Sequence, residues 1–213
     1  MKRVFFTDFD GTITRKDTCE AMVEAFAADG WQEINEMWER KELSTEECAN
    51  RTFQLFRADL GDIRRLVEGI EIDGTFKDFL NFCRERGYRV YVLSDGYAFN
   101  IDTIFRRYGI DVPYFANKLI YDNGFQIRCP YLNPECGNCG TCKKKLMEKL
   151  KEAGEQVVYI GDGSSDTCPA AHADLVFAKE KLYRFCREKG IPALPFDSFG
   201  DIIEAVKRME SCG

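Results

Sequence analysis

Val4-Phe5-Phe6-Thr7-Asp8-Phe9-Asp10-Gly11-Thr12 is the stretch on which the reading of this chain turns. An apolar run ends in two carboxylates one residue apart, followed by glycine and threonine. Such a run fits a strand buried on both faces, as in a parallel sheet covered by helices on each side. Side chains two apart on a strand share a face, so Asp8 and Asp10 can point into one crevice. In parallel sheets ligands bind beyond the carboxyl ends of the strands, where both acids would lie. Two neighbouring like charges imply a bound cation or a shared proton. Asp10-Gly11 is also an ordinary turn signal, and that reading stays open on this stretch alone.

Working outward, Arg89-Val90-Tyr91-Val92-Leu93 is a second apolar run, and it meets Ser94-Asp95-Gly96. Gln156 to Ile160 is a third, ending in Gly161-Asp162-Gly163-Ser164-Ser165-Asp166. Asp174 to Ala178 is a fourth, and Pro192 to Phe196 gives a short fifth. Helical patterns separate them: Asp73 (as N-cap) to Arg86, Ala98 to Tyr108, Lys143 to Ala153, Glu180 to Lys189 and Phe199 to Glu210. This alternation predicts an α/β fold, a doubly wound parallel-sheet core. Asp122-Asn123-Gly124 between two alternating runs predicts a β-hairpin before Lys143.

Residues 15–72 carry helical periodicity and little strand character, and Ser44 with Glu47 forms a capping-box signature. They are read as a small helical cap inserted after the first strand. Residues 1–14 and 73–213 then form the core.

The 213 residues carry a formal charge of −6, with 45% hydrophobic and 31% charged residues. That is the composition of a globular domain and argues against a nucleic-acid backbone binder. No signal peptide or apolar run of membrane-spanning length is visible, so a cytoplasmic protein without membrane association is expected. One histidine is present, His172, in an Ala-rich stretch that suggests a packed structural role. Catalysis by histidine would rest on that residue alone.

Carboxylates are therefore the economical source of chemistry. One can attack phosphorus, a second can protonate the leaving oxygen and then activate water, and others can hold Mg²⁺. A serine hydroxyl, backbone amides and a lysine can hold the remaining phosphate oxygens. Each residue also has a plain structural reading: Ser94 and Asp162 as helix caps, Lys143 as a solvated charge.

The order Asp8-Phe9-Asp10-Gly11-Thr12, Ser94, a lysine opening a helix, and Gly161-Asp162-Gly163-Ser164-Ser165-Asp166 resembles the four motifs of the haloacid dehalogenase superfamily. The resemblance covers nearly the whole chain, and the cap and hairpin resemble its phosphoserine-phosphatase-like branch. Within that branch the chain is similar to the methionine-salvage group acting on 2-hydroxy-3-keto-5-methylthiopentenyl-1-phosphate, and to the phosphoethanolamine/phosphocholine phosphatases. Ser94-Asp95-Gly96 departs from the Ser-Gly-Gly common in the methionine-salvage group. The resemblance implies hydrolysis of a small-molecule phosphomonoester through an aspartyl phosphate, by a monomer or homodimer. A phospho-receiver module that does not turn over, or an inactive binding scaffold, are the readings from other classes.

By the same resemblance Asp8 is the nucleophile and a Mg²⁺ ligand. Asp10 is the general acid/base, with its carbonyl on the metal. Ser94 holds phosphoryl oxygens, aided by amides near Asp95 and Gly96, and Thr12 belongs to the phosphate-binding set. Asp162 is a metal carboxylate and Asp166 an outer-shell or direct ligand. Lys143 is the lysine chosen, because it leaves Leu146 and Met147 as the next apolar pair of its helix; Lys144 is second. Asp17 either faces the substrate or caps the first cap helix, and Arg51 is a further cap residue that could face the crevice.

Six of the ten cysteines are scattered, but Cys129, Cys136, Cys139 and Cys142 crowd together. Their spacing suits a tetrathiolate zinc site bracing the Lys143 loop, with an iron–sulfur cluster as the rival occupant. Two disulfides or four thiols are the structural alternatives.

Overall fold

A computed structural model describes residues 2–135 and 139–211. Seven strands form one sheet in the order β4-β3-β2-β1-β5-β6-β7. The central strand is β1 (Lys2–Thr7), paired in parallel with β2 (Arg89–Tyr97) on one side and β5 (Glu155–Gly161) on the other. Parallel pairing continues through β6 (Leu175–Ala178) and β7 (Ala193–Pro195), and through β3 (Tyr114–Tyr121) on the opposite flank. Only β4 (Phe125–Arg128) runs antiparallel, completing the Asn123-Gly124 hairpin with β3.

Burial of both faces of β1 explains its unbroken apolar run. Phe5 joins a core layer built on α5 (Phe76–Glu85), α6 (Ala98–Tyr108) and α10 (Phe199–Ser211). Val4 and Phe6 face the other layer, built on α7 (Lys143–Leu150), α8 (Thr167–Ala170) and α9 (Glu180–Lys189). The period-two alternation thus distributes one strand between two helical layers. Since β2 and β5 flank β1 on opposite sides, the crevice beyond β1 is the place where such sheets bind ligands.

Four helices lie between β1 and α5: α1 (Thr18–Phe26), α2 (Trp31–Glu39), α3 (Thr45–Phe53) and α4 (Leu60–Glu68). The Ser44–Glu47 capping box starts α3 as the sequence predicts. None of the residues of α2 is buried, so its apolar side has no core to fill. The hairpin supports this region from below: Phe53 stacks near Phe125 at 5.5 Å, and Asn50 accepts the Ile127 amide at 2.8 Å. On the opposite side Arg64 of α4 lies over the Phe99 ring of α6 at 5.0 Å.

Several boundaries move. Helix α5 begins at Phe76 with Thr75 as its cap; Asp73 instead accepts from the Thr75 amide at 2.8 Å and hydroxyl at 2.5 Å. Helix α7 stops at Leu150, short of Ala153, because Lys151 turns to extended backbone. Strand β3, read from the sequence as Asn117 to Tyr121, starts at Tyr114, since Tyr114 and Phe115 pair with Val92 and Leu93. Strand β2 continues to Tyr97 with a register shift between Leu93 and Tyr97, the kind of irregularity that re-aims side chains near sites. His172 is exposed, with Nδ1 2.8 Å from the Cys168 carbonyl, so it is not the packed residue its Ala-rich setting suggests.

Phe76 is fully buried and meets Phe199 at 4.8 Å and Phe105 at 6.4 Å between ring centres. Phe76→Ala is expected to cost about 3–5 kcal/mol, read as a lower urea midpoint with an unchanged slope.

Candidate active site

The crevice beyond β1 is lined at its base by Asp8, Asp10, Gly11 and Asp162 and opens into a cavity of about 650 Å³. Asp8 continues the strand direction, its amide donating to the Ile160 carbonyl of β5 at 2.9 Å. The chain then turns, with the amides of Ile13 and Thr14 donating to the Phe9 carbonyl. Gly11 takes φ +74°, and a Cβ there would meet an Asp162 carboxylate oxygen at 2.6 Å. Phe9 points away, into the core against Phe105, which leaves both acids on the crevice side.

Lys143, the first residue of α7, is 3% exposed. Its Nζ donates to Asp8 at 2.7 Å, to Asp166 at 2.6 Å and to the Ser165 hydroxyl at 3.2 Å. Lys144 points elsewhere, 3.9 Å from Glu148 on the helix surface. Asp166 is fully buried and also accepts from the Tyr159 hydroxyl at 2.5 Å and from the amides of Asp162 and Gly163 at 3.0 Å each. Three donors besides the lysine thus hold Asp166 as the orienter of Lys143. Asp162 accepts from the Thr12 hydroxyl at 2.5 Å. Thr12 is only 1% exposed, and its hydroxyl is engaged with Asp162.

Asp10 takes two hydrogen bonds on Oδ1, from the Thr18 amide at 2.8 Å and hydroxyl at 2.6 Å. Thr18 in turn accepts from Asn100 at 2.8 Å. Oδ2 of Asp10 faces the Ser94 hydroxyl at 3.4 Å. Ser94 is a buried strand residue and accepts the Gly96 amide at 2.9 Å, so it does not cap α6. Gly96 allows this approach, because a Cβ there would run into the Asp10 carboxylate.

Asp17 takes the capping role on α1 by accepting the Glu20 amide at 2.9 Å, and it stands at the cavity. Asp95, whose neighbouring amides are the expected phosphate donors, has its carboxylate turned toward Thr141, Asn117 and Thr45. Arg51 is exposed and lies outside the cavity lining.

The four-thiolate reading rests on Cys129, Cys136, Cys139 and Cys142, three of which the structure describes. Among the described residues, Cys129, Cys139 and Cys142 do not form a set with sulfurs within 4.8 Å of one another, and Cys136 lies outside those residues. Cys129 packs against the core instead, and burial pushes its thiol up to about 12, with Glu46 adding to the effect. Cys142 is the buried residue preceding α7.

Acids dominate the electrostatics. Burial raises Asp8 well above its ordinary value, aided by Asp166 and Asp162 and opposed by Lys143. Burial and then Asp17 lift Asp10 to about 7, against the two Thr18 hydrogen bonds. Burial lifts Asp162 to about 6, with Thr12 opposing and Asp166 adding. Burial works against the Lys143 charge, but Asp166 and Asp8 outweigh it and hold the ammonium charged. Oxygens of Asp8, Asp162 and Asp166 lie within 4.8 Å of one another, a hard-oxygen donor set in which Lys143 pairs with Asp8 and Asp166. That chemistry fits Mg²⁺.

Tyr159, Thr18 and Ser165 were not singled out by the sequence reading. Tyr159 carried the one usable signal: a hydroxyl inside an otherwise apolar strand, two residues before Gly161 on the same face.

Residues 3–185 match the family described as Putative Phosphatase. The chain belongs to that family. It is 33% identical over 218 residues to a 2-hydroxy-3-keto-5-methylthiopentenyl-1-phosphate phosphatase of Geobacillus kaustophilus, covering 97% of this chain and 96% of the relative. A phosphatase of the same name from Bacillus thuringiensis subsp. konkukian is 32% identical over 209 residues, covering 96% and 95%. Among solved structures, a phospho-aspartyl intermediate analogue of phosphoserine phosphatase superposes with a TM-score of 0.70 at 22% identity, covering 96% of this chain and 98% of that one. A substrate-bound phosphoserine phosphatase gives 0.72 at 20% identity, with the same coverages. These likenesses show a shared fold. Among the described residues no helix is long and apolar enough to cross a membrane.

Raised carboxyl values mean that the metal-free native protein binds more protons than the unfolded chain between the ordinary value of 3.8 and about 6 to 7. Stability should therefore fall as pH rises through that window, and be fully regained below it. Thermal melts of metal-free protein should show a lower Tm at pH 8 than at pH 5.5. Mg²⁺ should raise Tm more at pH 8, and Asp162→Asn should weaken both effects. A Tm that is flat across this range, with or without Mg²⁺, would contradict the electrostatic account.

Proposed function

We propose that this protein hydrolyses a small phosphomonoester, with Asp8 as nucleophile and Asp10 as acid and base. The observation that carries the reading is the placement of both acids on one crevice, with buried Lys143 on Asp8 and the Asp10 Oδ2 directed toward Ser94. The Asp8 carboxylate attacks phosphorus, the bond to the leaving oxygen breaks, and Asp10 gives that oxygen its proton. Water then attacks the aspartyl phosphate with Asp10 taking the proton, which releases phosphate and restores Asp8. Lys143 offsets charge on Asp8 and on the phosphoryl oxygens, while Asp166 and Tyr159 keep it there. Ser94 and the amides by Gly96 bind phosphoryl oxygens. Asp8, the Asp10 carbonyl and Asp162 would hold Mg²⁺, which supplies positive charge between an anionic nucleophile and an anionic substrate.

Residues 15–72 act as a cap on a core of residues 1–14 and 73–213. Cap residues Met22, Trp31, Trp38, Phe53 and Phe56 make one side of the cavity apolar and aromatic. That side suits a thioether tail, which packs well against rings. The two relatives' names support 2-hydroxy-3-keto-5-methylthiopentenyl-1-phosphate as the substrate. A second reading, an amine-bearing ester such as phosphoserine, phosphoethanolamine or phosphocholine, is favoured by Asp17, Glu20 and Glu39 at the same cavity.

A panel of these four esters, with and without Mg²⁺, tests the proposal. The methylthio ester should give the highest kcat/KM, and activity should require the metal. Asp8→Asn should abolish turnover of all four, and Asp10→Asn should lower kcat by about 10²–10⁴-fold. Turnover retained by Asp8→Asn would refute the mechanism.

A further inference from the structure

One acid at the cavity has hydrogen-bond partners from three separate parts of the chain. Asp95 Oδ1 accepts from the Thr141 amide at 2.7 Å and from Asn117 Nδ2 at 3.3 Å. The same Asn117 nitrogen donates to the Asp95 carbonyl at 2.7 Å, and Asn117 Oδ1 accepts from the Thr141 hydroxyl at 3.2 Å. Thr141 is therefore held by both its amide and its side chain. Asn117 is 0% and Thr141 1% exposed. A Cβ on the neighbouring Gly140 would meet Asn117 at 2.6 Å and Asp95 at 2.9 Å, so the junction has no slack.

Thr141 stands two residues before Lys143, which grips Asp8 and Asp166. On the other side, Asp95 Oδ2 accepts from the hydroxyl of Thr45, the first residue of α3. The Thr45 oxygen also accepts the Trp38 indole N–H at 3.2 Å, and Trp38 and Thr45 both line the cavity. A relay thus runs from the aromatic wall through Asp95 to the segment bearing Lys143. Its two ends differ in closeness. A hydroxyl donating to a carboxylate ordinarily sits at about 2.5–2.7 Å. The Thr45–Asp95 distance is 3.3 Å, against 2.7 Å at Thr141. The core side is made and the cap side is drawn out.

We propose that Asp95 is a positioning residue that links the α2–α3 wall of the cavity to Lys143, so that a leaving group seated against Trp38 closes the Thr45–Asp95 contact and tightens Lys143 on Asp8. The inference rests on the phosphatase reading and adds to it a route by which the leaving group alters turnover as well as binding. Asp95 does this without touching the reacting atoms. Among the described residues the hydrogen bonds to its half-buried carboxylate come from neutral groups, so a drawn-out contact at Oδ2 is costly and favours closure.

The test compares benzyl phosphate, whose ring can reach Trp38, with methyl phosphate, which has nothing to place there. In the wild type the kcat ratio of benzyl over methyl phosphate should exceed one. Thr45→Val and Asp95→Asn should each lower that ratio about tenfold, with the KM ratio changed less, and the double variant should go no lower than the worse single one. Hydrogen exchange supplies a readout independent of turnover. Benzylphosphonate should slow exchange of the Thr141 amide in the wild type but not in Thr45→Val. Unmoved kcat ratios, additive single effects, or a rise in KM alone would overturn the link while leaving hydrolysis intact. Turnover of neither ester by the wild type, nor of the four-ester panel, would overturn the phosphatase reading itself.

Discussion

A single buried lysine between two buried acids is the constraint on which the site depends. Lys143 contacts Asp8 and Asp166, while Asp162 adds a third carboxylate within 4.8 Å of them. Acids gathered this closely repel and resist ionisation when buried. The fold tolerates them because donors are arranged around them: Tyr159 and two amides on Asp166, Thr12 on Asp162, Thr18 on Asp10. Much of what surrounds the strand ends is explained as compensation for that charge. The remaining imbalance is what a hard divalent cation would offset.

Above this base the cavity changes character. Helix α2 buries none of its residues, and its Trp31 and Trp38 with Phe53 and Phe56 form an aromatic wall of the cavity. The base is therefore built for a phosphoryl group and the wall for what the phosphate is attached to. Asp95 lies where the two meet, and its partners come from α3, β3 and the residues before α7. Placement of chemistry and choice of leaving group thus share a structural joint.

Much of the frame was legible in the linear order of residues. The apolar runs ending in acids marked β1, β2 and β5 because a strand buried on both faces has no polar positions until it leaves the sheet. Asn123-Gly124 marked the hairpin, and Leu146 with Met147 distinguished Lys143 from Lys144 by helical phase. The cysteine crowding gave no such guide: among the described residues Cys129 packs against the core and Cys142 precedes a helix, and their sulfurs form no close set with that of Cys139. The amides beside Asp95 were legible as phosphate donors because they follow Ser94, whereas the turn of its carboxylate toward Thr141 and Asn117 was not.

The sequence by itself determined the parallel sheet, the order of the acidic strand ends and the lysine that opens α7. Those features follow from local periodicity and turn chemistry, which need only near neighbours. Tertiary structure decided the partners: Tyr159 on Asp166, Thr12 on Asp162, Thr18 on Asp10, and the joint at Asp95. Thr12 and Asp162 are 150 residues apart, and even Tyr159 with Asp166 or Thr18 with Asp10 meet only once the intervening turns are folded. Such contacts depend on packing distances of a few ångströms, which no one-dimensional pattern encodes.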